Sequence, residues 1–459
     1  MSDAIAAGRR AVIVGAGPSG FYTADQLLGQ GFEVDMIDVL PTPFGLVRAG
    51  VAPDHPKIKA VTRVYDRTAS KEGFRFFGGI ALGRDVSRDE LRERYDVVVY
   101  AFGTAEDNKL GIPGEDRPGS YAATRFVAWY NGHPDAVAEE FFLNTERAVV
   151  IGNGNVAIDV ARMIMLAPSE VESTDTADHA IEALAKAEIK EVVVLGRRGP
   201  AQAAFTNPEL RELGELERAG VDVDVTDLQL DPASAKFLEE EADATSKRNV
   251  EMLQGYAESG PRDASHKVTL RFLRSPVEIL GEGESGPVTG VRVVKNRIDE
   301  DLRAVATDEE EVIECGLVLR SIGYRSDPIG GLPWNHAKGL VLNEGGRVID
   351  ESGAHCAGEY VVGWVKRGPS GVIGTNKKDA TDTVARITED LEAGTVPVRE
   401  ADGDPGEWML TRTERVVTWA GWQAIDAHET ATGEAQGRPR VKLVTLDELH
   451  DTAGSQPAT

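Results

Sequence analysis

The 459-residue chain holds only two cysteines, Cys315 and Cys356, far apart and in no CxxC pair. Neither an iron–sulfur cluster nor a dithiol redox centre can be built from them, so redox chemistry here needs a bound organic cofactor. Positive charge is in deficit as well: 50 Lys and Arg stand against 76 Asp and Glu, a formal net charge of −26. That balance argues against general nucleic-acid or anionic-membrane affinity, and an acidic partner would need a local basic patch to dock on. No apolar run approaches the roughly 18 residues of a membrane span. Residues 1–10 lack the apolar stretch of a secretion signal, and a cytoplasmic protein is expected. Aromatic residues are sparse at 6%, yet the 41% hydrophobic content suffices to bury cores in two or three domains.

Glycine is abundant, with 49 residues, and two clusters of it stand out. Residues 10–28 (RAVIVGAGPSGFYTADQLL) run a short apolar stretch into Gly15, Ala16, Gly17 and Gly20, followed by helical spacing at Ala24, Leu27 and Leu28. This is the strand, tight turn and helix of a dinucleotide fold with GxGxxG spacing. Gly15 permits the turn, Gly17 lets backbone amides approach a diphosphate, and Gly20 lets helix and strand close up; the phosphates would sit on the positive helix end. Residues 34–38 read as the second strand, ending in Asp38, an acid placed to take ribose hydroxyls. One such fingerprint is weak, because glycine-rich turns between strand and helix also arise for steric reasons alone.

The second cluster, residues 148–162, repeats the unit as GxGxxA, with Gly152, Asn153, Gly154, Asn155 and Val156 preceding Ala157. Two nucleotides are implied. The second strand of this unit, residues 191–195, leads into Arg197 and Arg198 instead of an acid. Guanidinium groups bind a 2′-phosphate through paired, charge-assisted hydrogen bonds where an acid would repel it, so this nucleotide should be NADP(H). The expected fold is α/β, two Rossmann-like dinucleotide-binding domains with parallel central sheets in the glutathione-reductase-like superfamily. The FAD-binding domain is expected to comprise residues 1–105 and 323–459, with an NADP-binding domain at 106–322 inserted.

Residues 39–57 carry prolines and glycines that forbid long regular structure, with apolar residues that argue for an ordered loop beside the first nucleotide. Its run LPTPFGLVRAGVAPDHPK (40–57) resembles the adrenodoxin reductase family of ferredoxin–NADP⁺ reductases, especially actinobacterial members. The resemblance continues through residues 74–78 (FRFFG), 112–115 (IPGE), 151–156 (IGNGNV), 196–200 (GRRGP), 320–324 (RSIGY) and 363–379, nearly the whole length. It implies an FAD enzyme that accepts hydride from NADPH and passes single electrons to a ferredoxin, as a monomer. It further implies FAD contacts at Leu46, Ile80, Trp364, Gly371, Val372 and Ile373, NADP contacts at Glu209 and Gly371, and a His55–Glu212 pair near the flavin as catalytic residues. No metal is expected. Where the family places an NADP-contacting arginine, this chain has Asn108, with Lys109 beside it.

Other stretches read more plainly. Glu209 and Glu212 share one helix face behind Thr206, Asn207 and Pro208. The acidic, alanine-rich residues 165–190 read as a solvated connection with one amphipathic helix. Arg211, Lys247 and Arg248 are candidate docking cations for an acidic ferredoxin. Absence of cysteine clusters excludes glutamate-synthase-like and thioredoxin-reductase-like chemistry. An NADPH-dependent diaphorase or quinone reductase, a flavin monooxygenase, or a non-catalytic flavin and NADP redox sensor remain open on the nucleotide sites alone.

Overall fold

The first fingerprint strand, Arg10–Val14, lies inside an eight-stranded sheet. This computed structural model describes residues 5–104, 106–371, 373–400 and 403–454. The strand order is Asn343–Glu344, Arg347–Ile349, His355–Val361, Val97–Tyr100, Arg10–Val14, Glu33–Asp38, Phe74–Gly78 and Val417–Thr418. The five middle strands are parallel, with Ala11 opposite both Val34 and Val97. Layers cover both faces, which is why Ala11–Val14 and Val97–Tyr100 are continuous apolar runs without alternation. The helix Pro18–Gly29 makes the first crossover, with proline in its first turn, and packs along Ile373–Glu392.

A second, six-stranded sheet is parallel throughout, in the order Ser120–Ala122, Leu317–Arg320, Arg147–Ile151, Glu191–Leu195, His266–Arg271 and Ala219–Val223. Its chain segments lie between those of the first sheet, and the two crossings run side by side: Tyr324–Arg325 pairs antiparallel with Glu106–Asp107. A three-stranded antiparallel sheet (Arg274–Gly281, Val288–Ile298, Ala304–Glu314) covers one face of the second sheet, with Ile279, Val291 and Ile313 packed on Val149, Ile151 and Val193.

The C-terminal helix Trp419–Ala435 returns to the first sheet. There Trp419 and Trp422 join Phe21, Phe44, Phe74 and Phe76 in an aromatic core, with Phe44 and Trp422 centroids 5.4 Å apart.

Residues 165–190 correct the sequence reading. The helices Pro168–Glu172 and Asp178–Ala185 form, but the connection between them is not solvated: Thr174, Asp175, Thr176 and Ala177 are all buried. Arg438 covers them, donating to the carbonyls of Thr174 and Thr176 and pairing with Asp178. Asp175 takes Lys59 Nζ at 2.6 Å from the loop side and Lys442 Nζ at 3.3 Å from the C-terminal side. Among the described residues, no helix is long and apolar enough to cross a membrane.

Candidate functional site

Both fingerprints end in helices whose first amides are left without a side-chain cap. Helix Pro18–Gly29 is preceded by Gly17 and helix Asn155–Met165 by Gly154, neither with a capping hydrogen bond. A Cβ at Gly17 or Gly154 would meet no atom of the described residues within 4 Å, so each bare Cα faces open space at a helix N-terminus. That cradle fits a diphosphate in both sites. The glycine two residues earlier is different in kind. Gly15 has φ +112° and a Cβ there would lie 2.6 Å from Ala101 O; Gly152 has φ +124° and would strike Ser321 O. Those positions close the turn against a neighbouring strand end.

The two second strands end differently. Asp38 accepts from Ala16 N at 2.7 Å and Leu40 N at 2.9 Å, tying the first turn to the loop that follows. Burial lifts its carboxyl to about 6 against the pull of those two amides. Arg197 is exposed and Arg198 half-buried, and among the described residues neither guanidinium holds a carboxylate, in a chain with a large acidic excess. Burial, with Arg197 adjacent, lowers the Arg198 pKa, the mark of cations held close without an anion.

Between the units the loop at residues 39–60 meets the second fingerprint helix. Its only regular pieces are the turns Leu46–Ala49 and Pro56–Lys59. His55 Nε2 lies 2.8 Å from Glu212 Oε2, bringing together residues 157 apart in sequence. Glu209, one turn earlier on the same helix (Asn207–Glu215), accepts from Asn155 Nδ2 at 3.3 Å and from the Thr206 hydroxyl. Asn155 Oδ1 in turn accepts from Thr206 N at 2.8 Å. Thr206 is the N-cap by position, but its hydroxyl serves Glu209 instead of the helix.

The remaining family-implied positions fall as follows. Trp364 opens the short helix Trp364–Arg367, half-buried, its ring 5.4 Å from that of Tyr324. Gly371 is exposed at φ +81°, Ile373 starts the helix Ile373–Glu392, and Val372 lies outside the described residues. Leu46 is 40% exposed, whereas the Ile80 side chain is 1% exposed and packed in the core, its amide donating to Asp38 O. Asn153 gives its backbone O to Ala204 N. Val156 is half-buried on the first turn of its helix. Asn108 donates to Ile322 O at 3.4 Å and Lys109 is paired with Asp116 at 2.7 Å, so both are engaged at the crossing. Of the docking cations, Arg248 pairs with Glu251, while Arg211 and Lys247 are exposed and hold no carboxylate among the described residues, Lys247 Nζ donating to the Glu239 carbonyl at 3.2 Å.

Sequence reasoning missed the charged cluster behind His55. Arg162, 2% exposed, sits on the second fingerprint helix and binds Asp54, Asp159 and Glu212. The available signal was local: an arginine three residues after an aspartate, inside the otherwise apolar helix Asn155–Met165.

Comparison with known proteins agrees with this geometry. Residues 9–195 match the family model described as pyridine nucleotide-disulphide oxidoreductase. The chain is 47% identical to the NADPH-ferredoxin reductase FprA of Mycobacterium tuberculosis, covering 95% of this chain and 97% of that one. The mitochondrial NADPH:adrenodoxin oxidoreductase of Arabidopsis thaliana is 43% identical, with 95% and 94% covered. The chain belongs to the NADPH–ferredoxin reductase family. A solved structure of the Mycobacterium tuberculosis FprA in complex with NADPH superposes with a TM-score of 0.90 at 44% identity, covering 97% of this chain and 99% of that chain. Membership makes the protein an oxidoreductase with FAD and NADP(H) as cofactors and the glutathione-reductase-like fold. The disulphide of the wider family has no counterpart, since Cys315 is buried, Cys356 half-buried, and both are free.

Proposed function

We propose that this protein is an NADPH–ferredoxin oxidoreductase in which FAD occupies the first fingerprint and NADP(H) the second. The observation that carries the reading is the pair of uncapped helix ends, each behind a bare glycine, with two arginines beside the second alone that hold no carboxylate among the described residues. FAD when bound accepts a hydride from NADPH and releases electrons singly, chemistry that resides in the cofactor. The chain's part is to bind, orient and exclude water.

Gly15, Ala16, Gly17 and Gly20 hold the FAD diphosphate and Asp38 its ribose. Leu46, Ile80, Trp364, Gly371, Val372 and Ile373 complete that site. Gly152, Asn153, Gly154, Asn155 and Val156 cradle the NADP diphosphate, Arg197 and Arg198 its 2′-phosphate, and Glu209 and Gly371 the nicotinamide side. His55, hydrogen-bonded to Glu212, is the group able to hold or move a proton at Nε2. Exposed Arg211 and Lys247, which hold no carboxylate among the described residues, offer charge to an acidic ferredoxin, which steers encounter and fixes orientation. The protein acts as a cytoplasmic monomer in this reading.

The test is steady-state cytochrome c reduction by the purified flavoprotein, with NADPH or NADH as donor and with ferredoxin present or omitted. A preference for NADPH and a sharp rise on adding ferredoxin are expected. Flavin reduction that ferredoxin does not accelerate would redirect the reading to a diaphorase.

A further inference from the structure

The Arg162 cluster lies at the meeting of three segments. The loop brings Asp54 and His55, the second fingerprint helix brings Asp159 and Arg162, and the helix Asn207–Glu215 brings Glu212. Arg162 reaches Asp54 Oδ2 through Nε at 2.9 Å, Asp159 Oδ1 through Nη2 at 3.2 Å, and Glu212 Oε2 through Nη1. The same Glu212 oxygen takes His55 Nε2 at 2.8 Å. One carboxylate oxygen therefore serves a buried guanidinium and an imidazole together. Three further groups face the cluster: Tyr130, fully buried and with no hydrogen bond to its hydroxyl among the described residues, Glu209, and Tyr324, whose phenol burial pushes up to about 12.

A buried guanidinium is always charged, and three carboxylates against it leave an excess of negative charge. Burial holds Asp159 up to about 6 despite the opposing pull of Arg162 and His55. Glu212 differs from Asp159 in touching Arg162 through the oxygen that faces His55. While that carboxylate stays ionised it can only accept, so the imidazole must donate from Nε2, which fixes the tautomer of the neutral ring.

We propose that Arg162 is a positioning residue for the His55–Glu212 pair: by binding the Glu212 oxygen that faces His55, it holds that oxygen as the acceptor of the imidazole and so fixes the ring proton on Nε2. The proposal rests on the reading of His55 and Glu212 as the proton-handling pair. It assigns Arg162 no contact with either cofactor.

The experiment is nitrogen NMR on ¹⁵N-histidine-labelled, FAD-loaded enzyme, which distinguishes Nδ1–H from Nε2–H in each neutral ring, with His55 assigned by comparison with His55→Gln. The unaltered enzyme should show Nε2–H at His55, and Arg162→Lys, which keeps the charge, should retain it. Arg162→Gln should admit the Nδ1–H form and move the acid limb of the kcat profile to higher pH by about one unit, with KM for NADPH within about twofold. An Nδ1–H ring in the unaltered enzyme overturns the proposal. So does an unchanged tautomer and pH profile in Arg162→Gln with FAD content intact. Should Arg162→Gln fail to accumulate, the unaltered enzyme and Arg162→Lys still decide. The tautomer is read without ferredoxin, so a protein that does not reduce ferredoxin would refute the proposed function while leaving this result standing.

Discussion

The two nucleotide units share one local design and differ where charge matters. Each has a parallel strand, a left-handed glycine closing the turn, and an uncapped helix behind a bare glycine. The first ends its second strand in Asp38, whose oxygens are already taken by two backbone amides; the second ends in Arg197 and Arg198, which hold no carboxylate. At the third fingerprint position the first unit needs Gly20, since a Cβ there would strike Gly15 O, while the second accommodates fully buried Ala157. The contrast teaches that the turn and the bare helix end are generic backbone geometry, and that the two units differ in the charge of a few side chains past the second strand.

The largest effect should come from separating the turn from the cradle. Gly15→Ala places a Cβ against Ala101 O at positive φ, and it should cost about 3 kcal/mol or more of stability along with FAD retention. Gly17→Ala meets open space and should leave the apoprotein melting temperature unchanged while FAD is lost. Thermal melts paired with the flavin-to-protein absorbance ratio separate the two, and equal melting losses would break the distinction.

Next comes the clamp that joins the units. Lys442 Nζ faces three acceptors, Asp175, Asn131 Oδ1 and Arg48 O, which offset the burial that pushes its pKa well below the ordinary lysine range. Burial alone would raise Asp175, but Lys442 and Lys59 overcome it and hold the carboxyl down to about 2. A depressed native pKa gives stability that is present above the unfolded value near 4 and lost as pH falls toward 2. Asp175→Asn, leaving buried cations short of their anion, should cost about 3 kcal/mol at pH 7 and flatten the acid limb of the stability profile between pH 4 and 2. Urea melts across that range provide the check.

Removing both Arg197 and Arg198 as alanines should cut the kcat/KM preference for NADPH over NADH by about 100-fold, close to 2.7 kcal/mol, without touching FAD content. An intact preference would shift 2′-phosphate recognition to other cations. The smallest effect belongs to Lys109→Ala. Its pair with Asp116 is exposed, worth under about 1 kcal/mol, and KM for NADPH should change by less than about twofold. A tenfold rise would give Lys109 the role of the arginine that the family carries there.

Much of this was legible in the chain itself. The fingerprints, the second strands and the contrast between Asp38 and Arg197–Arg198 are short-range patterns, complete within a few dozen residues, and the structure places them on the strands and helices their spacing implied. Residues 165–190 show where such reading fails. Thr174, Asp175 and Thr176 look like surface residues by type, yet Arg438 and Lys442, more than 250 positions later, cover them and supply the opposite charge. Arg162 was equally hidden, because its partners Asp54 and Glu212 come from segments on either side of it.

The sequence by itself determined two nucleotide units, their glycine turns and the opposite signs of charge beyond their second strands, because backbone geometry and residue spacing act locally. The tertiary structure decided which polar side chains face each other across the units. Burial and the meeting of distant segments set the partners of His55, Glu212, Arg162 and Asp175, and nothing in a linear order of residues fixes those distances.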